Sequence, residues 1–200
     1  AGTTGTNNQI GLVSYLGRVN YAYDDKYLLS ASYRSDGSSY FAKGNKWGQF
    51  PSISGGWILS KEKLFSKIDW LSNLKFRLSY GESGNDTSAN AYGSLALLGQ
   101  SDYLFGATLA NGTYVTRFSN SGLVWERSKE FNIGVDLGIL DNKVRLGIEI
   151  YNKKTVGSIL GRTLSPITGF NNATGNYGSI GNKGVEITLN TRNIRTDNFS

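Results

Sequence analysis

Eight charged residues fall at alternate positions of otherwise apolar segments, and they are the groups best suited to do chemistry. The acids are Glu130, Asp136, Glu149 and Glu186, and the bases are Lys75, Arg77, Arg145 and Lys153. Two carboxyl groups that flank a glycosidic bond can hydrolyse it. The same mixture of charges is typical of a polar wall that faces water. We favour the wall and predict no catalytic residue and no enzymatic activity, because nothing in the sequence marks two of these acids as having displaced pKa values.

The residue types that are missing exclude several other chemistries. The chain has 200 residues and contains no His, Cys or Met. A Ser-His-Asp or Cys-His nucleophile, a His- or Cys-ligated zinc or haem, and a disulfide framework all require side chains that this chain lacks. The glycines at 175, 178, 181 and 184 lack the Gly-Lys-Ser/Thr ending of a phosphate loop. We therefore expect no cofactor and no metal site.

Five aromatic residues stand among small polar residues in the longest segment without regular alternation, residues 82–123. They are Tyr92, Tyr103, Phe105, Tyr114 and Phe118. Aromatic rings in such a setting can stack on sugar rings or hold a peptide. The same rings could instead pack the loop against itself or against a partner. They are the candidate residues for contact with a substrate or a lid, and both interpretations stay open at this point.

The net charge does not indicate a nucleic-acid partner. The formal charge is +6, and a basic chain can bind phosphate backbones. Here, however, Lys and Arg are spread over every strand and turn, and no basic cluster is interleaved with stacking aromatics. We predict no nucleic-acid binding.

Seven segments alternate apolar and polar residues, as β-strands with two unlike faces do. They cover residues 12–23, 27–34, 47–59, 74–80, 124–137, 144–153 and 185–190. Residues 24–26 and 141–142 are turn formers that join two pairs tightly. Because Pro51 lacks a backbone donor, the third strand should begin after it or contain a bulge, and Gly81 should end the fourth. Apolar residues three and four apart in residues 60–73 predict a short amphipathic helix.

The joins between these strands differ in length on the two sides of the predicted sheet. The joins at 35–46, 82–123 and 155–178 are long, whereas those at 24–26 and 140–143 are short. Long strands with this asymmetry are typical of outer-membrane barrels. Tyr21, Tyr23 and Tyr27 bracket the first short turn, where an aromatic girdle would meet lipid headgroups. We predict an all-β antiparallel transmembrane β-barrel wall, with cross-strand packing of these tyrosines in a soluble sheet as the alternative.

Features at both ends of the sequence predict that it is a piece of a longer polypeptide. No charged segment followed by an apolar one opens the chain at Ala1. At the other end, Phe199 and Ser200 look like the first two residues of a further strand. No stretch approaches the 18 or so apolar residues of a transmembrane helix.

Several ordered motifs resemble the SusC/RagA family of TonB-dependent outer-membrane transporters of the Bacteroidetes. The motifs are YLGRVNY at 15–21, DDKYLL at 24–29, YRSDGSS at 33–39, KWGQFPS at 46–52, GW at 56–57, WLSNLK at 70–75, SYG at 79–81, GN at 84–85, WERSKEFN at 125–132 and GSIGNKGVE at 178–186. They cover the chain from about residue 14 to 190, and residues 86–123 are the variable stretch.

The resemblance implies that residues 1–200 are part of one barrel domain of about 22 strands, located in the bacterial outer membrane and in contact with its lipid. It implies that a plug domain and the remaining strands lie outside this sequence. Such importers take up glycans or peptides with a SusD-like lipoprotein and draw energy from TonB. Two alternatives remain open on the residues: a small structural or adhesive outer-membrane barrel, and a soluble carbohydrate-binding β-sandwich.

Overall fold

Eleven β-strands make up most of the described chain, which comprises residues 9–65, 67–89 and 92–193 of a computed structural model. They are β1 (Leu12–Tyr23), β2 (Tyr27–Ser38), β3 (Trp47–Ile58), β4 (Leu71–Asn85), β5 (Leu97–Phe105), β6 (Thr108–Arg117), β7 (Glu126–Ile139), β8 (Val144–Val156), β9 (Ile159–Thr163), β10 (Asn172–Asn176) and β11 (Ser179–Thr191). Seven form one antiparallel sheet in the order β1-β2-β3-β4-β7-β8-β11. The other four form the hairpins β5-β6 and β9-β10. The all-β antiparallel prediction is confirmed.

The seven-stranded sheet has two unlike faces, because side chains alternate along each strand and the register keeps like residues side by side. One row of directly paired residues runs Tyr21, Leu29, Gly55, Leu78, Ile133, Ile150 and Val185. The next row runs Asn20, Ser30, Ser54, Ser79, Asn132, Tyr151 and Gly184. The first row belongs to what we call the apolar face, and the second to the polar face. Most large side chains of the first row are exposed.

Two glycines on the polar face make room for long side chains of neighbouring strands. A Cβ atom at Gly184 would lie 2.7 Å from the hydroxyl oxygen of Tyr151. A Cβ atom at Gly134 would lie 2.9 Å from Nη2 of Arg77. The absence of a side chain at each glycine therefore allows the neighbouring ring or guanidinium to lie flat against the sheet.

The connections define two ends of the sheet. At the short-turn end, the turn after β1 places Asp24 and Asp25 at positive φ (50° and 49°), and the turn after β7 does the same for Asp141 and Asn142 (55° and 59°). Such turns match the twist of the strands they join, and both predicted hairpins are confirmed. At the long-loop end, three long loops cover residues 39–46, 86–125 and 157–178.

The helix predicted for residues 60–73 is wrong. The described part of this segment begins with a single 3-10 turn (Leu59–Lys61). The backbone N–H groups of Phe65, Ile68 and Leu71 then each donate to a carbonyl three residues earlier, and β4 begins at Leu71. Apolar residues spaced by three serve successive turns as well as a helix, and so short a helix gains little stability of its own.

Two predicted strand limits are also wrong. β3 runs through Pro51, which pairs with Tyr33 of β2. On its other side, β3 pairs with β4 only from Ser52 onward. The proline is tolerated because the strand has only one neighbour there and needs fewer backbone donors. β4 continues through Gly81, which pairs with both Ser52 and Glu130, so this glycine is an interior position of the sheet.

The long loops contain secondary structure that the sequence did not predict. The hairpin β5-β6 lies within the predicted loop 82–123, and β9-β10 within 155–178. The further strand predicted at Phe199 lies outside the described residues. The described residues contain no helix with the length and hydrophobicity that a membrane-spanning helix requires.

Buried apolar side chains gather at the long-loop end of the molecule. They are Phe41, Phe50, Ala89, Leu123, Trp125 and Ile159, and we call them the loop core. Its members come from all three long loops and, in the case of Phe50, from β3. The loop core therefore joins segments that are far apart in sequence.

Candidate functional site

Trp125 lies at the centre of the loop core. Its ring packs against Phe41 (centroids 5.3 Å apart) and edge-on against Phe50 (5.5 Å). Its Nε1 donates a hydrogen bond of 2.9 Å to the carbonyl oxygen of Lys46. One side chain of the second long loop thus holds the first long loop and β3 by both packing and hydrogen bonding.

Asparagine side chains tie the three long loops to one another through backbone groups. The bonds run from Asn45 Nδ2 to Ser121 O (3.0 Å), from Asn120 Nδ2 to Thr174 O (2.8 Å) and from Asn176 Nδ2 to Val124 O (2.7 Å). Each bond joins two different loops and satisfies a backbone carbonyl outside the seven-stranded sheet. The loops therefore form one ordered unit at this end of the sheet.

The hairpin β5-β6 brings three of the five predicted aromatic residues onto one of its faces. Tyr103, Phe105 and Tyr114 share this face by register. Each ring is at least half exposed, and the rings of Tyr103 and Tyr114 lie over Gly112 and Gly99. Glycine beneath each ring supports its flat face while leaving the opposite face open. We call this surface the aromatic face of the hairpin.

The other two predicted aromatic residues lie apart from the aromatic face. Phe118 packs edge-to-face on Phe170 of the third long loop, with ring centroids 5.5 Å apart. Tyr92 precedes the hairpin at positive φ (59°), and its carbonyl accepts a bond of 2.8 Å from Arg117 Nη2. Phe118 therefore has a packing contact between loops, and Tyr92 has a backbone contact at the base of the hairpin.

Three of the four acids considered for hydrolysis form ion pairs across strands of the polar face. Arg77 of β4 donates to Asp136 of β7 through Nε (2.8 Å) and Nη2 (3.1 Å). The same Nη2 lies 3.1 Å from Glu149 of β8, so the guanidinium spans three strands. Lys153 similarly pairs with Glu130 at 3.5 Å. These acids are acceptors that cross-link the wall, which is a structural role.

Carboxylate groups outnumber cationic groups around the guanidinium of Arg77. Glu186 of β11 lies directly opposite Glu149 and forms no ion pair within the described part of the chain. Three acids (Asp136 and both glutamates) and two bases (Arg77 and Arg145) line an open groove of about 490 Å³ on the polar face. The groove thus presents more negative than positive charge to its interior.

A carboxylate at the short-turn end fixes two aromatic rings of the apolar face. Glu62 Oε1 accepts bonds from the hydroxyl of Tyr27 (2.8 Å) and from Trp57 Nε1 (3.2 Å). The two rings are stacked with centroids 6.1 Å apart. The bond from Tyr27, followed by that from Trp57, holds the pKa of Glu62 below its ordinary value. From sequence alone, Glu62 belongs to the helix predicted for residues 60–73, and nothing in that pattern indicates its two aromatic partners.

We expect Glu62 to stabilise the fold at neutral pH but not in acid. Because its pKa is lower in the folded protein than in the unfolded chain, its contribution is complete above the ordinary value of 4.5. It is lost as pH falls below 4.5 through the folded pKa. Melting curves of the detergent-solubilised full-length protein should show Glu62→Gln melting below the wild type at pH 7, with the difference shrinking at pH 3 to 4.

Asp25→Asn is the matched control for this experiment. Asp25 is an acid of the adjacent turn, where asparagine also tolerates positive φ. The control should melt like the wild type at both pH values. A Glu62→Gln difference that persists unchanged in acid would refute the proposed role of the carboxylate.

Comparison with known proteins now assigns the sheet and its loops to a family. The family model for the TonB-dependent receptor-like β-barrel matches residues 1–200. A TonB-dependent receptor of Formosa agariphila is 39% identical over 189 residues, which is 94% of this chain and 19% of that protein. The TonB-dependent receptor SusC of Bacteroides thetaiotaomicron is 36% identical over 195 residues, with coverages of 94% and 19%.

A solved structure gives the same assignment. The structure of the RagAB peptide importer in its closed-closed state matches with a TM-score of 0.83 and 27% identity over 93% of this chain and 20% of that one. This chain spans about a fifth of the length of the relatives it matches. These relatives are described as receptors or importers, and the predicted resemblance to SusC and RagA is confirmed. The chain belongs to the TonB-dependent receptor family and forms part of its β-barrel.

Proposed function

We propose that this chain is a segment of the barrel wall of a TonB-dependent importer in the bacterial outer membrane. The observation that supports the proposal is the two-faced sheet, with an exposed apolar face over seven strands and a polar face on the other side. An apolar surface of this extent needs lipid or a partner to cover it. In a barrel of this family, the polar face lines the lumen.

The aromatic residues of β3 match the thickness of a membrane. Trp47 and Trp57 lie on the apolar face, ten residues apart. Trp47 stacks on Tyr15 near the long-loop end, and Trp57 stacks on Tyr27 near the short-turn end. Ten residues extend about 33 Å along a strand, and a strand tilted by about 40° then crosses roughly 25 Å of apolar bilayer. The two stacks are placed as the two aromatic girdles of such a barrel.

We further propose that residues 1–200 belong to one barrel domain of about 22 strands, whose plug and other strands lie elsewhere in the protein. The described sheet is open, since β1 and β11 are its edges. Wall strands of the same kind on both sides would pair those edges. This arrangement favours the importer over a small closed barrel or a soluble sandwich.

A SusD-like lipoprotein, the energy transducer TonB and a glycan or peptide cargo complete the proposal. The long loops lie on the extracellular side if the short turns are periplasmic, as in barrels of this class. There the loop core holds the aromatic face at the entrance, where it can meet cargo or a lid. The RagAB peptide importer supports peptides as one class of cargo, and glycans are proposed from the resemblance to the SusC/RagA family.

Uptake by the native organism tests this function. The importer is purified from detergent-extracted membranes, its partners are identified, and a deletion strain is grown on glycans or on peptides as sole nutrient. We expect a chain several times longer than 200 residues, a bound lipoprotein, and a growth defect on one nutrient class that the intact gene repairs. A partner-free barrel of about this length, with no uptake defect, would support the small structural barrel instead.

The five aromatic residues of the second long loop are proposed to contact the cargo or the lid. Changing Tyr92, Tyr103, Phe105, Tyr114 and Phe118 together to alanine should lower cargo uptake at least tenfold, since each stacked ring contributes about 0.5–1.5 kcal/mol. Barrel assembly should be unchanged because most of these rings are exposed. Uptake of labelled cargo and the amount of folded barrel are the two measurements.

The opposite face of the hairpin supplies the control. Leu104→Ala and Leu109→Ala remove exposed aliphatic side chains from it, and uptake should stay near the wild-type value. Unchanged uptake after all five aromatic changes would remove this loop from the path of the cargo.

A further inference from the structure

Three lysines lie in one group at the long-loop border of the apolar face. They are Lys129 of β7, Lys154 of β8 and Lys183 of β11, and all are exposed. From the short-turn end of β7 toward the long-loop end, the apolar face carries Leu137, Val135, Ile133 and Phe131, and then the lysine. β8 and β11 repeat this order, with Asn152 preceding the lysine on β8. Each strand thus ends its apolar series in a cation at the same end of the sheet.

Contacts on the polar face show that Lys129 and Lys154 belong to the apolar side. Between the same two strands, Lys153 pairs with Glu130 at 3.5 Å, and the hydroxyls of Ser128 and Thr155 lie 2.9 Å apart. Side chains alternate along a strand, so the residues between these pairs point the other way. The lysine side chains therefore extend from the apolar face.

The register places these like charges side by side. Lys129 lies directly opposite Lys154. Lys183 lies opposite Asn152, one diagonal step from Lys154. Directly opposed Cβ atoms are about 5 Å apart and diagonal ones about 7–8 Å. Like charges in these positions repel each other, so an anion between them would relieve the repulsion.

Acidic residues of the chain neutralise this group only in part. Lys129 lies 3.6 Å from Glu82 Oε1, but Glu82 also pairs with Arg127 through Oε2 (3.3 Å) and accepts a bond from the hydroxyl of Tyr80. Lys154 and Lys183 form no ion pair with any residue that the structure describes. The group therefore carries a surplus of positive charge beside an exposed apolar surface.

We propose that Lys154 and Lys183, together with Lys129, bind phosphate groups of an anionic lipid in the outer leaflet. This inference rests on the proposed outer-membrane location, which puts the long-loop end at the outer surface. A lipid is the fitting partner because its chains would cover the apolar residues directly below, while its phosphates meet the ammonium groups. A soluble anion would satisfy only the charges.

Lipid binding by the full-length importer tests the proposal. The protein is delipidated in neutral detergent, and binding of lipid A carrying two phosphates is compared with binding of the same lipid after removal of its phosphates. A cationic side chain near a charged lipid surface changes affinity about fivefold. Lys154→Gln with Lys183→Gln should therefore lower binding of phosphorylated lipid A about 25-fold, and the dephosphorylated lipid should bind weakly to every variant.

Lys153→Gln is the matched control, since it removes a lysine one residue away on the polar face. It should bind the lipid like the wild type. Equal binding by the double variant, an equal loss in the control, or binding of inorganic phosphate alone at comparable affinity would each overturn the proposal. Membrane location and cargo uptake are measured on the wild type and on the same variants. A wild type that lies in the outer membrane and takes up cargo but does not bind phosphorylated lipid A rejects the lipid site alone, whereas a wild type that is absent from the outer membrane rejects the proposed function as well.

Discussion

Replacing Trp125 with alanine should loosen the three long loops while the seven-stranded sheet stays assembled. The side chain is 6% exposed, packs on Phe41 and Phe50, and donates to Lys46 O. Truncating a buried aromatic residue costs about 3–5 kcal/mol, through lost burial and the cavity that remains. The carbonyl of Lys46 also loses its hydrogen bond. This cost is confined to the long-loop end, because the strands retain their own ladder pairs.

Limited proteolysis of the folded full-length protein measures this effect. Cleavage within the three long loops should become much faster in Trp125→Ala, and cargo uptake should fall because the hairpin β5-β6 loses its ordered base. Trp70→Ala is the control, since this tryptophan is 56% exposed at the short-turn end. Loops that resist protease as the wild type does, or a barrel that fails to assemble, would contradict a role confined to the loop core.

Most of the seven-stranded sheet could be predicted from sequence because each strand separates two environments. β8 is an example. Ile148 and Ile150 alternate with Glu149 and Tyr151, and this alternation predicts both the strand and the face on which each side chain lies. Strand ends were less predictable. Gly81 is a local signal for a strand end, yet two neighbouring strands pair with it. Where a strand ends depends on its pairing with segments distant in sequence, and a single sequence does not show which segments pair.

The hairpin β5-β6 could not be predicted in the same way. Both of its faces are exposed, with Tyr103 on one and Leu104 on the other, so apolar residues occur at consecutive positions and the alternation disappears. The five aromatic residues were nevertheless recognisable as candidates from composition. Their division between the aromatic face and the packing contact of Phe118 depends on register and on the third loop, which only the structure supplies.

The loop core was missed for a related reason. Trp125 was part of a family motif, and Asn45, Asn120 and Asn176 were visible as loop residues. Their hydrogen bonds, however, join positions as far as 79 residues apart in sequence. The signal that could have found them is the combination of a tryptophan at the start of a strand with asparagines in every long loop, because amides satisfy backbone groups that leave a ladder.

Replacing Gly134 with valine should destabilise the barrel wall by displacing the guanidinium of Arg77. A Cβ atom at this position would lie 2.9 Å from Nη2 and 3.1 Å from Cζ of Arg77. The guanidinium would be pushed away from Asp136 and Glu149, and both carboxylates would lose the cation that now bonds to them. Loss of charged hydrogen bonds of this kind costs about 1–3 kcal/mol, and partial exposure of the groups places the effect in the lower half of that range.

A thermodynamic cycle separates this mechanism from a general intolerance of the strand for larger residues. Gly147→Val is the control on the polar face of β8, because a Cβ atom there would meet its nearest neighbour at 3.7 Å, and valine favours a strand. The control should melt at or above the wild-type temperature, whereas Gly134→Val should melt below it. Arg77→Met removes the same ion pairs directly, so the double variant with Gly134→Val should cost about as much as either change alone. Fully additive costs would show that Gly134 does not act through the arginine.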